Sequence, residues 1–103
     1  MTAPITTDRP DDMTSMREAV EGGQTTSAAL VERAIERAEA VNSQLNFITW
    51  PCFDRARAQS AEPRSGPLAG LPTLIKDSIL EKGTRSSFGA VVLRDYIRAE
   101  DGP

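Results

Sequence analysis

The stretch from Gly66 to Asp77 constrains the fold of this chain more than any other. It reads Gly-Pro-Leu-Ala-Gly-Leu-Pro-Thr-Leu-Ile-Lys-Asp, so turn-forming residues precede a short apolar run that ends abruptly in two charges. Residues 73–75 favour the strand state, and an apolar run bounded by turn residues is typical of a strand covered on both faces. The sequence therefore predicts a buried strand that carries Lys76 to the rim of a sheet.

Lys76 is the first candidate for a functional residue. Ligands of open α/β sheets bind at the carboxyl ends of the strands, which is where this lysine is expected. In a site that excludes water, desolvation lowers the pKa of a lysine and leaves a neutral amine that can accept a proton. The alternative is a solvated lysine that pairs with Asp77 and contributes about 0–1 kcal/mol. Adjacent strand residues point to opposite faces, so we expect Lys76 and Asp77 to have different partners.

Composition indicates a small globular unit and neither a nucleic-acid nor a membrane partner. Of the 103 residues, 39% are hydrophobic and 26% are charged, which is ordinary for a globular domain. The net charge of -3 offers no basic surface for nucleic acid or an anionic membrane. No apolar run approaches the roughly 20 residues of a membrane helix.

The amino terminus has a composition of its own. Residues 1–12 are rich in Thr, Pro and Asp, and they lack the basic start and apolar centre of a secretory signal. We therefore expect a flexible amino-terminal tail and a cytoplasmic protein.

Two residue types are scarce enough to exclude classes of site. The chain has no histidine, so this segment cannot supply a Ser-His-Asp arrangement or an imidazole metal ligand. Neither a metal nor a cofactor is expected. Cys52 is the one cysteine, which excludes an internal disulfide. With no base near it in the sequence, Cys52 is predicted to be a small packing residue rather than a nucleophile.

Hydrophobic periodicity and capping residues predict two helices in the first half of the chain. The first helix is short, with Thr14 or Ser15 as its cap and Gly22 at its end. The second covers residues 26–41 and begins at a Thr or Ser among residues 25–27. Its apolar face contains Leu30, Val31, Ala34, Ile35, Ala38 and Val41, and its solvated face contains Glu32, Arg33, Glu36, Arg37 and Glu39.

A strand and a third helix are predicted to follow. Asn42 is expected to stop the second helix, and residues 45–50 then have the composition of a short strand. Residues 53–61 return to helical spacing before a proline. Trp50 and Phe53 are interpreted as core anchors, since no basic groove accompanies them.

The last part of the chain contains a hydroxyl-rich loop. Residues 84–89 place three hydroxyl side chains beside a glycine. Such a loop can present hydrogen-bond donors to a polar substrate, and a serine-rich surface turn is the alternative. Residues 90–93 are apolar and are predicted to start a packed helical turn.

The order and spacing of these motifs resemble the start of the amidase signature family. In that family a Gly-Pro-Leu-Ala-Gly-X-Pro segment runs into Lys-Asp, as residues 66–77 do, and a Thr/Ser-rich loop ending in glycine follows, as residues 83–89 do. Residues 26–47 are similar to the amino-terminal region of the family. The resemblance covers the chain from about residue 13 to residue 101.

The resemblance implies a fold and a domain assignment. The fold class is α/β, with helices packed on a mixed β-sheet of which this chain supplies the first helices and one or two strands. Residues 13–103 are interpreted as the amino-terminal segment of an amidase domain, cut off in mid-pattern after Asp101. Two short strands cannot close a sheet that is covered on both faces, so the segment alone is expected to expose apolar surface.

The resemblance also implies a mechanism. The catalytic group of the family is a serine, a second serine on a cis peptide, and a lysine, and Lys76 matches that lysine. Its implied role is to accept a proton from the bridging serine and so activate the nucleophile for attack on a small amide substrate. Both serines belong to a glycine- and serine-rich segment with no counterpart here. Ser86 and Ser87 match the loop after the lysine, so neither is assigned as the nucleophile, and the segment alone is expected to be inactive.

Three functions remain open on the sequence. The first is the amino-terminal part of an amidase that hydrolyses a carboxamide or linear amide. The second is the amidase-like subunit of a glutamyl-tRNA amidotransferase, which would require partner subunits. The third is a truncated, non-catalytic remnant or interaction module.

Overall fold

The structure is a computed structural model that describes residues 12–79 and 81–102. The described chain divides into two compact units, one of residues 12–41 with 52–72 and the other of residues 42–51 with 73–102. The predicted tail, residues 1–12, lies outside the described residues except for Asp12.

The described residues form three α-helices and one short 3₁₀ helix. Helix α1 is Met13–Glu21, α2 is Ser27–Leu45 and α3 is Phe53–Ser60, and the 3₁₀ helix is Val91–Leu93. All three predicted α-helices are therefore confirmed. None of the described helices has the combination of length and apolarity that crossing a bilayer requires.

Helix α1 is capped by Asp12, two positions before the earlier of the two predicted caps. Asp12 is extended, and its Oδ1 accepts a 2.7 Å hydrogen bond from the backbone N–H of Ser15. Ser15 thus lies inside the first turn, and the prediction of Thr14 or Ser15 as the cap is wrong, because a carboxylate at residue 12 reaches the exposed N–H first. The predicted end is confirmed, since Gly22 is the C-cap and Gly23 follows with φ +75°.

Helix α2 begins as predicted and ends later. The Oγ1 of Thr26 accepts a 3.1 Å hydrogen bond from the N–H of Ala29, which confirms a hydroxyl cap. The helix then continues through Asn42 to Leu45 and ends where Asn46 adopts φ +49°. Asparagine tolerates this left-handed conformation better than most residues, so it can end the helix in place of glycine.

The strand predicted at residues 45–50 does not form. The Oδ1 of Asn42 accepts hydrogen bonds of 3.0 and 2.9 Å from the N–H groups of Phe47 and Ile48. A side chain thus satisfies the donors that a partner strand would have used, and the prediction that Asn42 stops the helix is wrong as well. Trp50 is half-buried in this irregular segment.

The buried residues of the first unit lie on α1 and α2. Met16 on α1 and Leu30, Val31 and Ile35 on α2 are at most 8% exposed. The predicted apolar face of α2 is confirmed at these three positions, and its five predicted charged residues are exposed. Burial of such side chains is the main stabilising contribution available to a unit of this size.

The residues around α3 are less buried than predicted. Phe53 is only half-buried, so it is not a full core anchor. Cys52, predicted to be a packing residue, is exposed because it precedes the first turn of α3. On α3, Arg57 Nε lies 2.6 Å from Glu32 Oε1 on the exposed surface of the unit.

The described residues contain no β-strand, and their one β-pairing is an isolated antiparallel bridge between Arg85 and Ile97. Residues 73–75, predicted to be a buried strand, form neither helix nor strand. The side chains of Leu74 and Ile75 are 68% and 52% exposed. A strand requires a neighbour that completes its hydrogen-bond ladder, and no described residue provides one here.

Candidate functional site

Lys76 lies at the start of a hydrogen-bonded turn. Its side chain is exposed, and its carbonyl oxygen accepts a 2.9 Å hydrogen bond from the N–H of Ile79. We predicted that Lys76 lies at the rim of a sheet, but in the structure it lies in a turn. The turn holds the backbone of Lys76 in place and leaves its amine in solvent.

Asp77, the next residue, is bound to the hydroxyl-rich loop. Its Oδ1 accepts a 3.1 Å hydrogen bond from the N–H of Ser87, and its Oδ2 accepts a 2.7 Å hydrogen bond from the hydroxyl of the same serine. The Ser87 hydroxyl lowers the pKa of the Asp77 carboxyl below its usual value, although partial burial opposes this effect. The backbone N–H groups of residues 87–89 lower the pKa further.

The loop that contacts Asp77 has an unusual backbone. Phe88 and Gly89 have φ angles of +52° and +73°, so two consecutive residues are left-handed. The turn is closed by a 2.9 Å hydrogen bond from the N–H of Ala90 to the carbonyl oxygen of Ser87. Within the turn the Gly89 N–H donates to Ser87 Oγ at 3.4 Å, so the turn holds the serine that binds the carboxylate of Asp77.

The other hydroxyls of this loop point into the protein. Thr84 is buried, and its Oγ1 donates a 2.8 Å hydrogen bond to the carbonyl oxygen of Glu81. Ser86 is fully buried, and its Oγ has no hydrogen-bond partner in the described part of the chain. The interpretation that the loop presents these hydroxyls to a substrate is therefore not supported. The burial of Ser86 and the hydrogen bond of the Ser87 hydroxyl to Asp77 agree with leaving both serines unassigned as nucleophile.

A short antiparallel pairing joins residues 83–86 to residues 96–98. The N–H of Gly83 donates to the carbonyl oxygen of Arg98 at 2.9 Å. The N–H of Arg98 donates to the carbonyl oxygen of Thr84 at 3.0 Å. The N–H of Ser86 donates to the carbonyl oxygen of Tyr96 at 3.1 Å. Backbone hydrogen bonds thus hold both sides of this segment in register.

The carboxylate of Asp101 anchors a second turn in the same unit. Its Oδ1 accepts a 2.8 Å hydrogen bond from the N–H of Lys82.

The predicted helical turn at residues 90–93 is confirmed as the 3₁₀ helix, but Val91 and Val92 are 74% and 89% exposed. The prediction that this turn is packed is therefore wrong in this chain.

The family of this chain follows from the match of its sequence to known proteins. The amidase family matches residues 29–103, a range that contains both Lys76 and the loop bound to Asp77. The chain belongs to the amidase family. This confirms the resemblance that the motifs at residues 66–77 and 83–89 indicated.

Several curated proteins are similar to this amidase-family chain. A glutamyl-tRNA(Gln) amidotransferase subunit of Deinococcus deserti is 38% identical over 91 residues, which are 82% of this chain and 18% of that protein. A 6-aminohexanoate-cyclic-dimer hydrolase of a Pseudomonas species is 41% identical over 66 residues, or 64% of this chain and 13% of the hydrolase. A putative amidase AmiC of Mycobacterium bovis is 35% identical over 92 residues, or 87% and 20%.

The chain spans about a fifth or less of the length of these relatives. No solved structure matches the amidase-family chain. Family membership is therefore established by sequence, and the arrangement around Lys76 and Asp77 is what the structure adds.

The sequence indicated Lys76 as a candidate functional residue, but it did not indicate that Asp77 binds Ser87. The two residues are 10 positions apart, which is too far for a local capping motif. The signal in the sequence is weak, an acidic residue followed ten positions later by a Ser-Phe-Gly turn. Loop closure, and no local pattern, brings the two residues together.

Proposed function

We propose that the complete protein is an amidase and that this chain is its amino-terminal segment. The reaction is hydrolysis of a carboxamide or linear amide C–N bond by acyl transfer through a serine, a cis-peptide serine and a lysine. The observation that carries this proposal is the family match over residues 29–103, because the matched range includes the Lys76-Asp77 pair and the glycine-ended loop.

Lys76 is the base of the proposed reaction. As a neutral amine it accepts a proton from the bridging serine, which in turn takes the proton of the nucleophilic serine. The nucleophile attacks the amide carbonyl, and the amine or ammonia leaves after it receives the proton. Water then hydrolyses the acyl-enzyme and returns the free carboxylic acid. The two serines would come from a part of the protein outside this chain.

The proposed fold of the complete domain is a mixed β-sheet covered by helices. The exposed side chains of Leu74 and Ile75 support it, because an apolar pair that leads directly into a lysine is suited to a covered strand. Covering these residues would also remove water from Lys76, and desolvation favours the neutral amine that the mechanism requires.

The test is amide hydrolysis by the complete gene product, with and without Lys76. Wild type, Lys76→Ala and Lys76→Arg are assayed for release of ammonia or amine from a panel of aliphatic carboxamides, aryl carboxamides and cyclic amides. Loss of a general base is expected to lower kcat by about 10²- to 10⁴-fold. A fluorophosphonate probe, which labels an activated serine, is expected to react more slowly with both variants.

Lys82→Ala is the matched control, because Lys82 is also an exposed lysine in the same unit. Its kcat is expected to equal that of wild type, and circular dichroism checks that every variant is folded. Unchanged turnover by a folded Lys76→Ala protein would contradict the assignment of the base. Absence of hydrolysis by the wild-type complete protein across the panel would contradict the amidase proposal itself.

The similarity to an amidotransferase component favours one second candidate. The 38% identity to the Deinococcus deserti protein covers 82% of this chain. A component of that kind would use glutamine as its amide and would act with partner subunits. Glutamine hydrolysis that depends on co-purifying subunits would support this candidate, whereas turnover of simple carboxamides by the protein alone would support the amidase.

A further inference from the structure

We propose that Asp77 is a positioning residue that holds the backbone of Lys76 in place by binding the turn at residues 87–89. This role rests on the proposed function, since it concerns the lysine assigned there as the base. Asp77 itself does not touch the substrate or the reacting atoms in this proposal. It acts through its neighbour in the chain.

Both carboxylate oxygens of Asp77 accept hydrogen bonds from the loop. Oδ1 accepts from the Ser87 N–H at 3.1 Å, and Oδ2 accepts from the Ser87 hydroxyl at 2.7 Å. A carboxylate held through two oxygens has a fixed orientation, and hydrogen bonds to an ionised acceptor are stronger than neutral ones. The side chain of Asp77 is therefore immobilised on the loop, and so is the backbone from which it extends.

The backbone of the loop has an unusual conformation at Phe88. Phe88 is a bulky residue at φ +52°, a conformation that costs a non-glycine residue energy and persists only where the surroundings impose it. The Phe88 side chain is 52% exposed, so packing of the ring does not explain the conformation. The left-handed turn instead holds Ser87, because the Ala90 N–H donates to the Ser87 carbonyl oxygen at 2.9 Å and the Gly89 N–H donates to Ser87 Oγ at 3.4 Å.

Asp77 is connected to the proposed base through the backbone. Lys76 precedes it directly, and the carbonyl oxygen of Lys76 accepts a hydrogen bond from the N–H of Ile79 at 2.9 Å. Lys76 is thus the first residue of a closed turn whose second residue, Asp77, is anchored to the loop. Its long side chain can reach toward a serine only from the point at which this backbone is held. Misplacement of a catalytic group by about 1 Å can cost about 10²-fold in rate.

The experiment uses the complete gene product with Asp77→Ala, Ser87→Ala and the double variant. Asp77→Ala is expected to lower kcat by about 10- to 100-fold while KM changes by less than about threefold, because the base and not the substrate is displaced. Ser87→Ala removes only the hydroxyl and is expected to have a smaller effect of the same kind. The double variant is expected to be no slower than Asp77→Ala, since both substitutions remove one interaction.

Asp101→Ala is the matched control. Asp101 is also an acidic residue that binds a backbone N–H of the same unit, that of Lys82, and it is not adjacent to the base. Its kcat is expected to stay within about twofold of wild type. If Asp77→Ala loses no more kcat than Asp101→Ala, or if its loss lies in KM, the positioning role is overturned.

Backbone amide NMR signals provide a readout that does not depend on turnover. Asp77→Asn keeps one acceptor oxygen, and it is expected to shift the amide signals of Phe88 and Gly89 and to give an intermediate kcat. If Asp77→Ala fails to fold, Asp77→Asn and Ser87→Ala carry the test, and wild-type kcat in both overturns the proposal. An inactive Lys76→Ala with a fully active Asp77→Ala would overturn this inference alone, whereas an active Lys76→Ala would overturn the proposed function.

Discussion

Ser27 Oγ donates a 2.6 Å hydrogen bond to the carbonyl oxygen of Gly70, which lies 43 residues later in the chain. Ser27 is the first residue of α2, and Gly70 ends the glycine- and proline-rich turns that precede Leu71. Gly70 has φ +76°, and a Cβ built on it would lie 2.9 Å from Ser27 Oγ. The glycine is required here both for its backbone conformation and for the close approach of the helix.

Gly70→Ala is therefore expected to destabilise the chain more than Gly23→Ala does. Both glycines have φ near +75°, where alanine costs about 1–2 kcal/mol, but a Cβ on Gly23 would meet no atom within 4 Å. The contact with Ser27 should add about 1 kcal/mol or more at Gly70. Urea unfolding of the 103-residue chain, followed by circular dichroism, measures both free energies. Equal losses would show that the contact with Ser27 contributes nothing.

The end of α2 depends on Asn42 and Asn46. Asn42→Ala removes the acceptor for two backbone N–H groups and is expected to lower the free energy of unfolding by about 1–2 kcal/mol. Asn46→Gly should be neutral or stabilising, because glycine adopts φ +49° without strain, whereas Asn46→Val should be destabilising. Ser43→Ala, an exposed change in the same helical turn, serves as the control in urea unfolding. A stability loss in Asn46→Gly would contradict the interpretation of this helix end.

The contact between Asp77 and Ser87 is expected to weaken in acid. The hydrogen bond from the Ser87 hydroxyl lowers the pKa of Asp77 in the folded protein, so the carboxyl binds its proton more readily in the unfolded chain. The stabilisation is therefore complete above the ordinary aspartate pKa of about 3.9 and is lost as the pH falls through the lower folded value. An NMR titration of the amide signals of residues 87–89 should show a midpoint below about 3.9.

Asp77→Asn is the control for that titration, because it removes the ionisable group at the same position. The low-pH transition in the signals of residues 87–89 is expected to disappear in this variant. A midpoint at or above the ordinary aspartate value in the wild-type chain would contradict the hydrogen bonds described here.

The buried and exposed apolar residues should respond differently to truncation. Ile35 is 5% exposed, and Ile35→Ala is expected to cost about 2–5 kcal/mol in the 103-residue chain. Val92 is 89% exposed, so Val92→Ser is expected to change the free energy of unfolding by less than about 0.5 kcal/mol. The same two variants are then compared in the complete gene product by urea unfolding. A much larger cost of Val92→Ser there would show that the rest of the protein covers this residue.

The helices of this protein could be predicted because their signals are local. The apolar positions of α2 recur within a few residues of one another, and hydroxyl and glycine residues mark the ends, so three α-helices were found in the right places. The exceptions were also local. At Asp12 and Asn42 a side chain competed for backbone N–H groups more effectively than the pattern indicated.

The candidate site was only partly predictable for a physical reason. Lys76 stands in a recognisable motif, and the family match over residues 29–103 agrees with that motif. The contact between Asp77 and Ser87 could not be predicted even though Ser87 lies in the motif of residues 83–89, because a carboxylate can bind any N–H group or hydroxyl that loop closure brings within reach. The strand at residues 73–75 was predicted from residue types, but a strand exists only where a second strand completes its ladder.

The amino-acid sequence by itself determined the helices, the family and the position of the candidate lysine, because each depends on residues close together in the chain. Tertiary structure alone decided that Ser27 binds Gly70 and that Asp77 binds Ser87. The first contact joins residues that are 43 positions apart, and the second joins residues that are 10 positions apart. Their formation depends on how the intervening chain closes. Hydrogen-bond partners at such distances are selected by geometry, which no local pattern of residue types records.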